Sequence, residues 1–179
     1  MKKKNLIIVC SLLILISTLC ISCGNGFGAT LSQYGKTIEK VDPEGWLSLY
    51  PEVYVEEKLL PLYSDRDALK DSVRDALQNE HDKIAADCGN RFKVSYGSTG
   101  EPNVFKDDNL EAMQSVLSDS GIDGLTEAVQ LMVQEKGNGS GGEHFGILER
   151  CFFFKIDGKW YILYQDDILS QVLAAKHSD

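Results

Sequence analysis

The chain has 179 residues, of which 43% are hydrophobic and 25% charged, and its formal net charge is −9. That length suits one compact domain, and the composition excludes a collagen-like, wholly disordered or multi-pass membrane chain. Beyond the first few residues there is no basic run, which argues against a nucleic-acid partner, because neutralising phosphates needs clustered Lys and Arg.

Met1 to Lys4 is a basic start, and Leu6 to Ile21 is an apolar run broken only by small polar residues and cysteines. Together they read as a secretory signal, too short for a membrane span of about 20 apolar residues. The run ends in Leu19-Cys20-Ile21-Ser22-Cys23, followed by Gly24-Asn25-Gly26. These residues resemble the lipobox of bacterial lipoproteins, in which a small residue precedes a cysteine that is acylated and becomes the mature N-terminus.

The resemblance implies a signal peptide over residues 1–22 and a lipid on Cys23, with Ser22 as the small residue and Ile21 as the aliphatic one. Cys20 stands where leucine is usual, and the bulky Leu19 in front of it makes Cys23 the better acylation candidate. Each methylene of an acyl chain such as palmitate contributes about 0.8 kcal/mol when buried, so two or three chains hold a domain on a membrane almost permanently. The membrane is then one partner. Gly24, rather than an aspartate, follows Cys23, which implies the outer membrane where the cell has two.

Residues 23–30 are small and glycine-rich and read as a lipidated tether, leaving residues 31–179 as a single domain. Within that domain only Cys88 and Cys151 remain, and two thiols in an oxidising compartment predict one disulfide. Pro43, Gly45, Pro51 and Pro61 punctuate residues 31–63, so only short elements are expected there.

Ser64 with Asp67 reads as a capping box, and Leu69, Val73, Ala76, Leu77 and Ile84 recur at helical spacing up to Gly89. Arg91 to Tyr96 alternates polar and apolar residues as a half-buried strand does. A second helix is expected from about Asp107 to Ser118, with Leu110, Met113, Val116 and Leu117 on one face. Glu127 to Glu135 fits both periods and is read as a strand. Gly137 to Gly142 reads as a flexible loop, although it formally matches a dinucleotide-binding G-x-G-x-x-G. Phe145 onward carries a strand pattern rather than the helix that such a motif must open.

Asp157-Gly158 sits between two aromatic-rich runs and predicts a tight hairpin, with Lys159 facing Ile156, Trp160 facing Lys155, Tyr161 facing Phe154, Ile162 facing Phe153 and Leu163 facing Phe152. Both faces of that hairpin are then apolar, so each must be covered or must line a pocket. Phe152, Phe154, Trp160 and Tyr161 are the candidate pocket residues. Asp166 or Asp167 is expected to cap a short terminal helix carrying Ile168, Leu169, Val172 and Leu173.

This order gives an α+β fold, a long helix packed on a curved antiparallel sheet with an additional helix inserted and a C-terminal β-hairpin. The order, with Gly158-Lys159-Trp160-Tyr161-Ile162 as closing hairpin, resembles the cystatin-like and NTF2-like folds. Asp119 to Gly124 opens like a calcium loop, but Gly121 replaces an oxygen ligand and Gln130 replaces the final glutamate. His81, His144 and His177 begin no zinc pattern, and no serine sits in G-x-S-x-G. No cofactor or metal is therefore expected. The reading is a non-catalytic envelope lipoprotein that binds a small apolar ligand or another envelope protein. The alternatives are a small NTF2-like enzyme using His144 or Asp166 in an acid/base pocket, or a structural accessory subunit.

Overall fold

In the computed structural model, residues 26–164 and 166–174 are described, so Cys10, Cys20, Cys23 and His177 lie outside the described residues. Helix α1 (Phe27–Lys40) is followed by α2 (Pro43–Leu47) and by α3 (Glu52–Tyr54), which runs on through a π-turn (Val55–Leu59) and a 3-10 turn (Leu60–Leu62). Then come α4 (Arg66–Cys88), β1 (Phe92–Ser98), β2 (Asn103–Phe105), α5 (Asp107–Ser118), β3 (Leu125–Gly139), β4 (Gly142–Ile156), β5 (Lys159–Leu163) and α6 (Asp167–Ala174). The architecture is α+β: an antiparallel sheet curled into a half-barrel, with the long α4 packed on it. None of the described helices is long and apolar enough to cross a membrane.

The sheet order is β1-β3-β4-β5, with β2 on the same edge of β3 as β1. Two register shifts between β3 and β4, at Leu125/Glu127 and Gln134/Lys136, break the ladder, and such bulges bend a strand and sharpen its twist. The hairpin between β4 and β5 has the predicted register at all five pairs from Ile156↔Lys159 to Phe152↔Leu163. Asp157 and Gly158 both take positive φ, 49° and 80°, as a type I′ turn requires.

Alternation along the strands sorts their side chains. Val129, Leu131, Val133, Cys151, Phe153 and Ile162 face the main core with α1, α4 and α6. Ala128, Phe154 and Ile156 face the opposite side, where Leu110, Met113 and Leu117 of α5 pack over them. The two apolar faces of the hairpin are thus both covered. Val116 does not share the packed face of α5 and is 66% exposed.

Helix α4 buries Leu69, Val73, Ala76, Leu77 and Ile84 as expected, but its N-cap is Asp65 rather than Ser64, with Oδ1 accepting from Ala68 N at 2.8 Å. Asp65→Ala is expected to cost about 1 kcal/mol of stability, measured by urea unfolding, whereas Ser64→Ala is expected to cost much less.

Helix α1 begins at Phe27, inside the stretch read as tether, and reaches well into the region where only short elements were expected. The reason is tertiary: Phe27 packs on Phe153 and Trp160, with ring centroids 5.3 and 5.7 Å away, and Leu31, Tyr34 and Ile38 continue the same buried stripe. The glycine-rich segment is likewise no loose loop. β3 and β4 pair up to Gly139↔Gly142, and Gly141 N donates to Cys88 O at 2.8 Å, seating the hairpin against the end of α4.

Cys88 and Cys151 are both buried and both free, so the expected disulfide is corrected. Cys88 Sγ lies beside Gly137, which pairs with His144, whereas Cys151 pairs with Leu131. Seven residues of β4 separate those two places, roughly 23 Å at strand rise, and a disulfide spans at most about 7 Å between Cα atoms.

Candidate functional site

Two concavities stand out. The first is a polar cleft of about 270 Å³ between α4, the sheet and the start of α6, lined among others by Glu80, Tyr96, Glu135, His144 and Asp166. The second is an apolar pocket of about 290 Å³ on the α5 side, lined among others by Tyr50, Tyr54, Leu117, Ile122, Phe154 and Ile156.

Glu135 is the inward position that comes after Val129, Leu131 and Val133 in the period-two series, where a hydrophobic residue is expected. It is only 8% exposed. The second bulge lies here, with Gly146 and Ile147 opposite it, and a Cβ on Gly146 would stand 2.9 Å from that of Glu135. Tyr96, its cross-strand neighbour, donates to Glu135 Oε2 at 2.8 Å. Burial raises the Glu135 carboxyl above its ordinary range, opposed by the Tyr96 hydrogen bond. The Tyr96 hydroxyl is itself pushed far up, first by burial and then by Glu135, so it stays a donor.

His144 extends from β4 toward the same place. Its Nδ1 lies 2.7 Å from Asp87 Oδ2, and its Nε2 is 3.8 Å from Glu135 Oε1. Glu80, on α4, is fixed by Lys83 at 2.8 Å, and Lys83 also reaches Asp167 at 2.9 Å. One ligand atom each from Glu80, Glu135 and His144 lies within 4.8 Å of the others.

At the floor of the cleft Asp166 caps α6, with Oδ1 accepting from Leu169 N at 2.9 Å, and Tyr34 donates to its Oδ2. Burial lifts its carboxyl from 3.8 to about 7, with Asp167 adding to the rise and the Leu169 N–H opposing it. Tyr34 is packed edge-on against Tyr96 and Tyr164. A carboxyl that titrates near neutrality in a cleft is suited to moving a proton.

The sequence-derived candidates divide. His144 and Asp166 both line the polar cleft. Of Phe152, Phe154, Trp160 and Tyr161, only Phe154 lines the apolar pocket. Phe152 is stacked between Phe105 and Phe154, Tyr161 lies under Lys159 with Nζ 4.6 Å from its ring, and Trp160 faces the other way onto Phe27. Phe152 and Tyr161 share the face of Phe154 and pack beside it, whereas Trp160, being the residue next to Tyr161, leaves by the other face and lines a separate, more open hollow with Thr30 and Leu49. Glu80, Tyr96, Glu135 and Tyr50 were missed. Glu135 alone carried a sequence signal, as an acid in an inward strand position.

The calcium-like segment is a helix-ending turn in which Ile122 N donates to Leu117 O at 2.8 Å and Ser118 donates to Asp123. Compared with known proteins, the chain matches no family model, no curated protein and no solved structure.

Proposed function

We propose that this protein is a lipoprotein of the cell envelope, anchored through acylated Cys23 and placed on the outer membrane where the cell has two, whose domain binds a small apolar ligand without catalysis. The observation that supports binding is the apolar pocket: its volume of about 290 Å³ falls just short of the roughly 300–1,000 Å³ typical of ligand sites, which suits a small ligand, and Phe154 and Ile156 line it. Lys58 at its edge can meet a polar group on an otherwise apolar molecule.

Native mass spectrometry of the protein after incubation with an envelope extract of its own host is expected to show a discrete small-mass adduct. Ser120→Trp, which fills the pocket from its lining, is expected to lower that adduct at least about tenfold while leaving the fold intact. A protein-sized adduct would transfer the reading to an envelope-protein partner, and no adduct at all would end it. For the anchor, radioactive fatty acid is expected to label the wild type and not Cys23→Ala; label persisting in the variant would remove the lipid assignment.

The polar cleft favours a second reading, a small NTF2-like enzyme. Asp166, near half-ionisation at neutral pH, would then act as the proton carrier, with Tyr34 holding its second oxygen.

A further inference from the structure

We infer that Glu80, Glu135 and His144 form a binding site for one divalent transition-metal ion, with zinc as the reference case. The site is separate from the apolar pocket, so its failure would leave the ligand reading standing. The three groups come from α4, β3 and β4, and each offers a ligand atom within 4.8 Å of the other two. Around zinc, donors at 2.0–2.2 Å stand about 3.4 Å apart, so side-chain adjustments of about 1 Å would close the set.

The contact between His144 and Glu135 supplies the independent observation. A carboxylate accepts hydrogen bonds, so with Asp87 Oδ2 at 2.7 Å the ring proton on that side sits on Nδ1, and Nε2 is the nitrogen left for the cleft. Nε2 faces Glu135 Oε1 across 3.8 Å, beyond hydrogen-bond distance, and among the described residues Oε1 accepts no hydrogen bond. The Glu135 side chain is nine-tenths buried, and a cation bound to both Oε1 and Nε2 would fill the gap between them.

The surroundings fit a metal ion in that place. Asp87 behind His144 and Tyr96 behind Glu135 are the outer partners that fix a ligand's tautomer and direction. One imidazole with two carboxylates suits zinc, manganese or iron better than calcium, which takes six or more oxygens. Three protein ligands leave a coordination position open toward the cleft for water or a small anion. Lys83 holds only one oxygen of Glu80, leaving the other for the ion.

The test uses the full chain in detergent, stripped with a chelator and equilibrated with zinc or cobalt(II). About one zinc per chain is expected by elemental mass spectrometry. Glu135→Gln and His144→Ala are each expected to weaken binding at least about tenfold, and Asp87→Asn by about 10–100-fold. Glu80→Gln, at the cleft wall, guards against a folding artefact: its metal-free form should unfold at the wild-type temperature, and zinc should raise that temperature in the wild type only. Substoichiometric zinc would overturn the site. An intense near-ultraviolet cobalt–thiolate band, or binding indifferent to Glu80→Gln and His144→Ala, would overturn it in favour of the cysteines.

Discussion

The wild-type domain is expected to lose stability as pH rises from about 4 to about 7, and Asp166→Asn is expected to remove most of that loss. Asp166 is 9% exposed, and its carboxyl is raised from 3.8 to about 7, chiefly by burial. Between those values the native state keeps a proton that the unfolded chain has released, so the unfolded state binds fewer protons and stability must fall with rising pH. Stability is complete below about pH 4 and is lost through pH 7. At about 1.36 kcal/mol per unit, the gap corresponds to at most about 4 kcal/mol.

Asparagine keeps the features that matter structurally. Its carbonyl oxygen can still accept from Leu169 N, and it is as good an N-cap as aspartate. Its amide can turn toward the Tyr34 oxygen, with no charge left to bury. Glu135, also raised, leaves a smaller slope of the same sign in the variant. Asp65 and Asp82 are lowered and act in the opposite direction, but only below the ordinary carboxylate range, outside this window. Urea midpoints from about pH 4 to about pH 8 test the expectation, and an unchanged slope in Asp166→Asn would refute it.

Gly139→Ala is expected to cost about 3 kcal/mol, more than Gly137→Ala only two residues away. A Cβ at Gly139 would lie 2.4 Å from Cys88 O and 2.7 Å from Arg91 O, both backbone atoms held by the end of α4 and the start of β1. At Gly137 the nearest obstacles are side-chain atoms, the Ile84 Cγ2 methyl at 2.5 Å and Cys88 Sγ at 3.1 Å, which can give more readily than two backbone carbonyls. Neither glycine has the positive φ that favours glycine, so alanine at either position should otherwise gain about 0.4–1 kcal/mol from the unfolded state. Thermal unfolding of the two variants side by side separates the effects. Equal losses would show that α4 is not seated on the hairpin as described.

This contact also explains the repeated glycines that formally match a dinucleotide loop. Gly137, Gly139 and Gly141 lie at alternate positions of the β3–β4 hairpin, and each meets Ile84 or Cys88 of α4 at a distance that no Cβ permits. The sequence marked the spacing, but only the approach of α4 shows that it serves packing.

What residues decide with near neighbours was legible in the sequence. The register of the β4–β5 hairpin is set by Asp157-Gly158, because a two-residue turn with positive φ at both positions fixes every pair beyond it. The helices α4 and α5 come from apolar periodicity, which is a local property of a segment, whereas β3 fits both periods and is a strand by its pairing with β1, β2 and β4. Tertiary structure decided the rest. Helix α1 extends to Phe27 because Phe153 and Trp160, over a hundred residues later, bury its ring. Cys88 and Cys151 stay apart because α4 ends beside the Gly137–His144 pair, seven residues along β4 from Cys151. Glu80, Glu135 and His144 meet because α4 crosses the sheet where β3 and β4 bulge, and no spacing pattern records a meeting of three elements that depends on how a sheet curls.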